Sequence, residues 1–400
     1  MRSYSEFSIP NSVFYGQHSL SRLGEQVQAL GKKVLLISDR IIEKIGYVKT
    51  CENTLEDLNI SYATYLDVNT EPTDVHVGDA LQICLKEQCD VIVAIGGGSC
   101  IDAAKAVAVL ATNGGYIGDY MGGKMPIEKY PIPLIAIPTT AGTGSEVTNV
   151  TVITNTSDDI KMMIKHPSFL PKVAIVDPLL TTSTPPNVTA ATGLDALCHA
   201  IEAYISRRSQ PLTDTLALSA IEAILHHLKV AYEDGENTEA REKMAIASMQ
   251  AGIAFSNASV TLIHGMSRPI GALFHVPHGV SNAMLLPGVL EFTKESAIEE
   301  LATIGRIISP ESTDLPDPEL ANIAIHGIKQ LCSDLNIPNL KTWGIDEQKF
   351  QQVVEKMATD AIASGSPANN PKVPTQKEII ELYNYCYHYD FSGSTSSHTS

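Results

Sequence analysis

Asp195 and His199 stand four residues apart in GLDALCHAIEAY, residues 193–204. The apolar residues around them recur at helical spacing, so both side chains leave one face of a predicted helix. A carboxylate and an imidazole placed this way form a chelating pair, although helix-surface and capping contacts use the same spacing. Further along, VTLIHGMSRPIGALFHVPHGVSNAMLLP, residues 260–287, supplies His264, His275 and His278 in apolar surroundings, with His278 in a Pro-His-Gly turn. Buried imidazoles need partners, and one divalent cation satisfies several at once. The chemistry indicated is a cation held by oxygen and nitrogen ligands.

A second set of residues is built on glycine. Gly96-Gly97-Gly98-Ser99 follows an expected strand at Val91–Ile95, and SCIDAAKAVAVLAT reads as the helix after it. Glycines there let backbone amides approach a phosphate at a helix N-terminus, though a tight turn needs glycine too. The usual G-x-G-x-x-G fingerprint is absent. Asp39 follows an expected strand at Val34–Ile37, where it can accept hydrogen bonds from an adenosine ribose or cap the next helix. It would repel a 2′-phosphate by up to about 4 kcal/mol at about 4 Å and an effective dielectric of about 20, a bias towards NAD. PLIAIPTTAGTGSEVTNVTVIT, residues 133–154, adds a loop of uncharged hydroxyl and amide donors.

The elements that must position these residues fall into two halves. Strand and helix alternate through the first, after an N-terminal segment read as an edge hairpin. That alternation predicts an α/β, Rossmann-like domain: a parallel sheet with helices on both faces and ligands beyond the carboxyl ends of its strands. VAIVDP followed by TTSTPPNVTAATG marks a composition shift. Beyond it, 210–232, 239–258, 260–273, 295–308, 317–335 and 346–363 have helical periodicity, predicting an all-α bundle. The expected domains are 1–183, binding nucleotide, and 184–390, binding metal, with a Ser/Thr-rich tail at 391–400.

With 28 Lys and Arg against 45 Asp and Glu, the formal charge is −17. A basic face for nucleic acid or an anionic membrane is not expected, and the partners should be small molecules. Seven cysteines, odd in number and without C-x-x-C, fit a reducing cytoplasm better than a disulfide framework. No apolar h-region or run of 18 apolar residues is found.

GLDALCHAIEAY, AFSNASVTLIHG and PHGVSNAMLLP together resemble the iron-dependent (group III) alcohol dehydrogenase family. The resemblance implies that Asp195, His199, His264 and His278 hold a divalent ion, Fe(II) with Zn(II) as a substitute. It implies NAD against the GGGS-x-x-D-x-x-K segment, here Gly97, Gly98, Ser99 and Asp102 with Lys105 nearby. Thr139, Thr140, Gly142, Ser145 and Lys161 would also face the cofactor, although Lys161 could be a solvated hairpin charge. Asn149 and Phe255 would lie near the substrate, Phe255 being equally readable as a core aromatic. An ion acting as Lewis acid on the alcohol or carbonyl oxygen, and hydride exchange with nicotinamide across the crevice between domains, make an NAD-dependent alcohol dehydrogenase or aldehyde reductase. A homodimer is implied as well, an edge strand near the N-terminus inviting pairing.

One position departs from the family pattern. Where relatives of neutral alcohols carry a second His in HG-x-x-H-P, this chain has Arg268, which does not surrender its proton. A proton relay would then fall to His275, water or the cofactor ribose, unless His275 is a core histidine. Arg268 could bind the far end of an anionic aldehyde such as succinate semialdehyde, or a sulfo- or phosphono-aldehyde, or pair with a carboxylate such as Glu202. Lyases resembling dehydroquinate synthase share the two-domain, NAD-plus-metal plan but need a cluster of Lys and Arg at the metal. A non-catalytic NAD-binding protein is disfavoured by the intact ligand set.

Overall fold

The structure, a computed structural model, describes residues 4–157, 160–312 and 314–392. Most of the tail expected at 391–400 lies outside the described residues. The strands are β1 (Ser12–Tyr15), β2 (Lys33–Ile37), β3 (Ser61–Tyr65), β4 (Val91–Gly96), β5 (Leu134–Pro138), β6 (Val150–Asn155), β7 (Ile160–Lys165) and β8 (Val173–Val176). Six of them form one sheet in the order β1-β8-β5-β4-β2-β3, every pairing parallel, while β6 and β7 make a separate antiparallel hairpin. Between and beside the strands run α1 (Leu23–Leu30), α2 (Arg40–Lys44), α3 (Tyr47–Asp57), α4 (Asp74–Glu87) and α5 (Gly98–Asn113).

Strands buried on both faces read as continuous apolar runs, and VIVAIG in β4 is buried at every position. Alternate side chains go to opposite faces. Leu35, Ile37, Ile92 and Ala94 join one core with Val77, Ile101 and Val107, whereas Val34, Leu36, Val93 and Ile95 join another with Leu23, Val48 and Leu55. The two faces are therefore covered by different helices, as the strand and helix alternation predicts. The N-terminal segment corrects one expectation: β1 is a lone strand pairing parallel with β8, not half of a hairpin.

The remaining helices are α6 (Pro186–Ile205), α7 (Pro211–Glu233), α8 (Thr238–Asn257), α9 (Leu262–Phe274), α10 (His278–Thr293), α11 (Ile298–Ile308), α12 (Asp317–Asp334), α13 (Leu340–Trp343), α14 (Glu347–Ala363) and α15 (Gln376–Tyr387). The chain divides into two compact units, Met1–Pro185 with Gly235–Asn257, and Pro186–Asp234 with Ala258–Ser400. Helix α8 thus returns to the sheet unit from within the helical sequence. The reason is a close backbone approach: a Cβ on Gly252 would stand 2.8 Å from the Cα of Gly144, which itself has φ +60°. Only glycines allow that contact. In the helical unit, α6 buries Leu194, Leu197 and Ile201 completely, each contributing about 1.5–3 kcal/mol. Among the described residues no single helix is long and apolar enough to cross a membrane.

Candidate metal centre

Helix α6 is buried from Gly193 to Ala203, so Asp195 and His199 can face only protein. Their spacing of four brings Asp195 Oδ2 and His199 Nδ1 to 4.0 Å on one helix face. His264 enters from the first turn of α9 and His278 from the first residue of α10, each presenting Nε2 to Asp195 Oδ1 at 3.6 and 3.7 Å. Gly279 lets α10 come this close to α6, since a Cβ there would lie 2.4 Å from the Ala191 carbonyl oxygen. Ligand atoms of Asp195, His199 and His264 all lie within 4.8 Å of one another, and all three residues are buried. His278 closes the group at its more exposed edge, its ring centroid 5.2 Å from that of His264.

A carboxylate behind the ligands fixes the orientation of one of them. Glu202 Oε2 receives Nδ1 of His264, which leaves Nε2 turned towards Asp195, the nitrogen that would face an ion. Oε1 of Glu202 accepts from Thr261 Oγ1 (2.9 Å) and from the amides of Ile263 (2.7 Å) and His264 (3.3 Å), the otherwise unpaired N–H groups opening α9. Burial raises the Asp195 carboxyl, but the imidazoles of His199, His278 and His264 outweigh it and hold it well below the ordinary carboxylate range. Burial opposes protonation of His264, yet Glu202 and Asp195 lift it to about 9. A site that raises imidazole basicity with two carboxylates is one built around positive charge.

Ligand atoms 2.0–2.2 Å from one ion stand roughly 3.4 Å apart in a tetrahedron, near the spacing seen from Asp195 Oδ1 to the two Nε2 atoms. Oxygen and imidazole donors suit Fe(II), Zn(II), Mn(II) or Co(II). The residues present therefore fit a divalent cation.

The glycine loop, in the sheet unit, is organised differently. β4 ends at Gly96, Gly97 is the N-cap of α5, and Gly98 and Ser99 form its first turn. Asp102 accepts from Ser145 Oγ (2.5 Å) and from the Val152 amide (2.9 Å), and Lys105 Nζ lies 3.6 Å from it while donating to Thr148 Oγ1 (2.9 Å) and the Val150 carbonyl (2.7 Å). Burial lowers Lys105 to about 8 against the pull of Asp102 and Glu146. Asp102, Lys105 and Ser145 thus tie α5 to the hydroxyl-rich loop and to β6. Thr139 donates its amide to the Gly96 carbonyl (3.0 Å), with Thr140 and Gly142 following in the same loop.

Asp39 caps α2, Oδ1 accepting from Ile41 and Ile42 (2.8 and 2.9 Å), while Oδ2 faces the Cys100 thiol at 3.6 Å. Lys161 sits on β7 against Glu71 (2.6 Å). Asn149 donates its amide to Ser256 Oγ (3.2 Å) and accepts from it on Oδ1 (3.1 Å), one residue from half-buried Phe255. His275 corrects one of its two readings: it is exposed, with φ 54°, as the C-cap of α9, and is not a core histidine. Arg268 follows His264 by one turn, its guanidinium 3.2 Å from Ser366 Oγ, with burial lowering its pKa and Glu202 opposing that. Sequence reasoning missed the role of Glu202 behind His264, although Glu202 continues the Asp195, His199 face at i+7. All seven cysteines are free and buried.

Comparison with known proteins places this arrangement. Residues 10–178 match the iron-containing alcohol dehydrogenase family and residues 189–387 its C-terminal part, described as Fe-containing alcohol dehydrogenase family, C-terminal. A 1,3-propanediol dehydrogenase of Citrobacter freundii is 38% identical over 386 residues, covering 96% of this chain and 98% of that protein. The crystal structure of a 1,3-propanediol oxidoreductase superimposes with a TM-score of 0.92 at 38% identity, covering 96% of this chain and all of that one. A sulfoacetaldehyde reductase from Bifidobacterium kashiwanohense, solved in complex with NAD+, is 29% identical with a TM-score of 0.85, covering 97% of this chain and 100% of that one. Matched over 96% of its length in sequence and in fold, the chain belongs to the iron-containing alcohol dehydrogenase family.

Proposed function

We propose that this metal-dependent alcohol dehydrogenase interconverts a short-chain primary alcohol and its aldehyde with NAD(H) as hydride carrier, Fe(II) being held by Asp195, His199, His264 and His278. The observation that carries the reading is the buried cluster of Asp195, His199 and His264 with Glu202 behind it. A bound divalent ion supplies Lewis acidity to the substrate oxygen. Asp195 contributes the negative charge of the site, and Glu202 keeps Nε2 of His264 a donor of its lone pair. On the nucleotide side, Gly97, Gly98 and Ser99 offer amides to the diphosphate and Asp39 disfavours a 2′-phosphate, a reading supported by the NAD+ complex of the related sulfoacetaldehyde reductase. Thr139, Thr140, Gly142, Ser145, Asp102 and Lys161 shape or brace the cofactor site, with Asn149 and Phe255 beside the substrate. His275 is the side chain assigned to pass protons to water. We place the enzyme in the cytoplasm as a homodimer, its seven free cysteines fitting a reducing compartment and the free edge of β1 offering a pairing surface.

NADH oxidation by anaerobically Fe(II)-loaded protein, with butanal and succinate semialdehyde compared at equal concentration, tests this. Turnover of butanal at least equal to that of the semialdehyde is expected. A strong preference for the semialdehyde, abolished in Arg268→Leu, would instead assign the enzyme to anionic aldehydes and Arg268 to their recognition. Inertness towards both, in protein that holds iron and NADH, would favour the lyase chemistry.

A further inference from the structure

Helix α10 brings a second residue to the metal-facing group. Asn282 stands four residues after His278, on the same face of the helix, and is completely buried (0% exposed). Its Nδ2 lies 2.6 Å from Asp195 Oδ1, 3.1 Å from His264 Nε2 and 3.2 Å from His278 Nε2, while its Oδ1 has no hydrogen-bond partner. Leaving a buried amide oxygen unpaired is costly, so the contacts made by Nδ2 must outweigh that cost. Turning the amide over would set Oδ1 2.6 Å from a carboxylate oxygen, two acceptors with no proton between them. Only the orientation with nitrogen towards Asp195 makes a bond.

The distance also separates two roles that an amide could take here. Ligands of one ion stand roughly 3.4 Å apart, and 2.6 Å is the length of a charge-assisted hydrogen bond. Asn282 therefore donates to a ligand and is not one.

We propose that Asn282 is a positioning residue of the cation site: its Nδ2–H group holds Asp195 Oδ1 at the spacing from His264 and His278 that one divalent cation requires. This rests on the metal reading above. Glu202 does the same for His264 from the other side, so two of the ligand residues are each held by a hydrogen-bonding neighbour.

The test is Co(II) binding by the full-length protein, because the visible ligand-field bands report coordination without turnover. In Asn282→Ala the Co(II) dissociation constant is expected to rise about ten- to a hundredfold, with altered bands, as for other residues that orient metal ligands. Asn282→Asp keeps the shape but loses the donor and sets two carboxylates side by side, so it should also bind more weakly than the unaltered protein. Wild-type affinity and bands in Asn282→Ala would overturn the proposal, and tighter binding in Asn282→Asp would overturn it in favour of direct ligation. If the alanine variant loses its far-ultraviolet helical signal, the aspartate variant decides. Failure of the unaltered protein to take up Co(II) would refute the metal reading itself, and the proposal with it, a result distinct from a silent substitution in a protein that binds.

Discussion

The metal centre and the glycine loop assemble function in opposite ways. At the metal centre, side chains carry the chemistry and other side chains hold them: Asp195 is held by Asn282 and His264 by Glu202. At the loop, the side chains bond mainly to one another and to backbone, Asp102 to Ser145 and Val152, Lys105 to Thr148 and Val150. What they leave presented is the amide end of α5 behind Gly97 and Gly98. An ion needs lone pairs at fixed points, which only side chains supply, whereas a diphosphate is well served by unpaired N–H groups and a helix dipole. Substitutions should therefore act directly in the first region and indirectly in the second.

The largest effect is expected from Asp195→Asn, which keeps shape but removes the negative charge among three imidazoles. Losing the Lewis acid should cost about three orders of magnitude in kcat, about 4 kcal/mol of barrier, together with stoichiometric metal. Metal content measured beside turnover checks it. Turnover retained at a tenth or more of wild type would mean that the cluster is structural, and the contrast between the regions would collapse.

An intermediate effect is expected from Asp102→Asn. The variant loses a charge-assisted bond to Ser145 and leaves Lys105 without its carboxylate. Loosening the loop by roughly 1.5 kcal/mol weakens NADH about tenfold, read by fluorescence titration, with thermal stability falling in parallel. Weaker NADH at unchanged stability would sharpen the comparison differently, by making Asp102 a direct contact.

Much of the metal centre was legible because helical spacing alone aligns Asp195 with His199, and because histidines in apolar sequence demand an explanation. The same arithmetic could have reached Glu202 and Asn282, but a carboxylate and an amide in a helix carry no demand of their own until their surroundings are known. Pro277-His278-Gly279 reads as a turn, and in the structure His278 opens α10; Pro287 and burial on nearly all sides erase the periodicity that would announce that helix. The α/β pattern was legible from buried apolar strands, yet the pairing of β1 with β8 and the return of α8 to the sheet unit were not. Both are set by contacts far apart in sequence, Ser12 with Val173 and Gly144 with Gly252, for which local propensity holds no information.

The smallest effect, and the finest test of the contrast, belongs to Ser99→Ala in the first turn of α5. If backbone amides and the helix dipole do the holding, deleting the hydroxyl removes at most one neutral hydrogen bond, about 0.5 kcal/mol, and NADH should weaken only two- to threefold. Alanine also favours the helix slightly more than serine, so the loop itself should not loosen. A loss of a hundredfold at unchanged stability would require about 2.7 kcal/mol from one hydroxyl, more than a neutral bond supplies. The loop would then hold its ligand as the metal centre does, by a side chain, and the division between the two regions would be one of ligand chemistry and not of how each site is built.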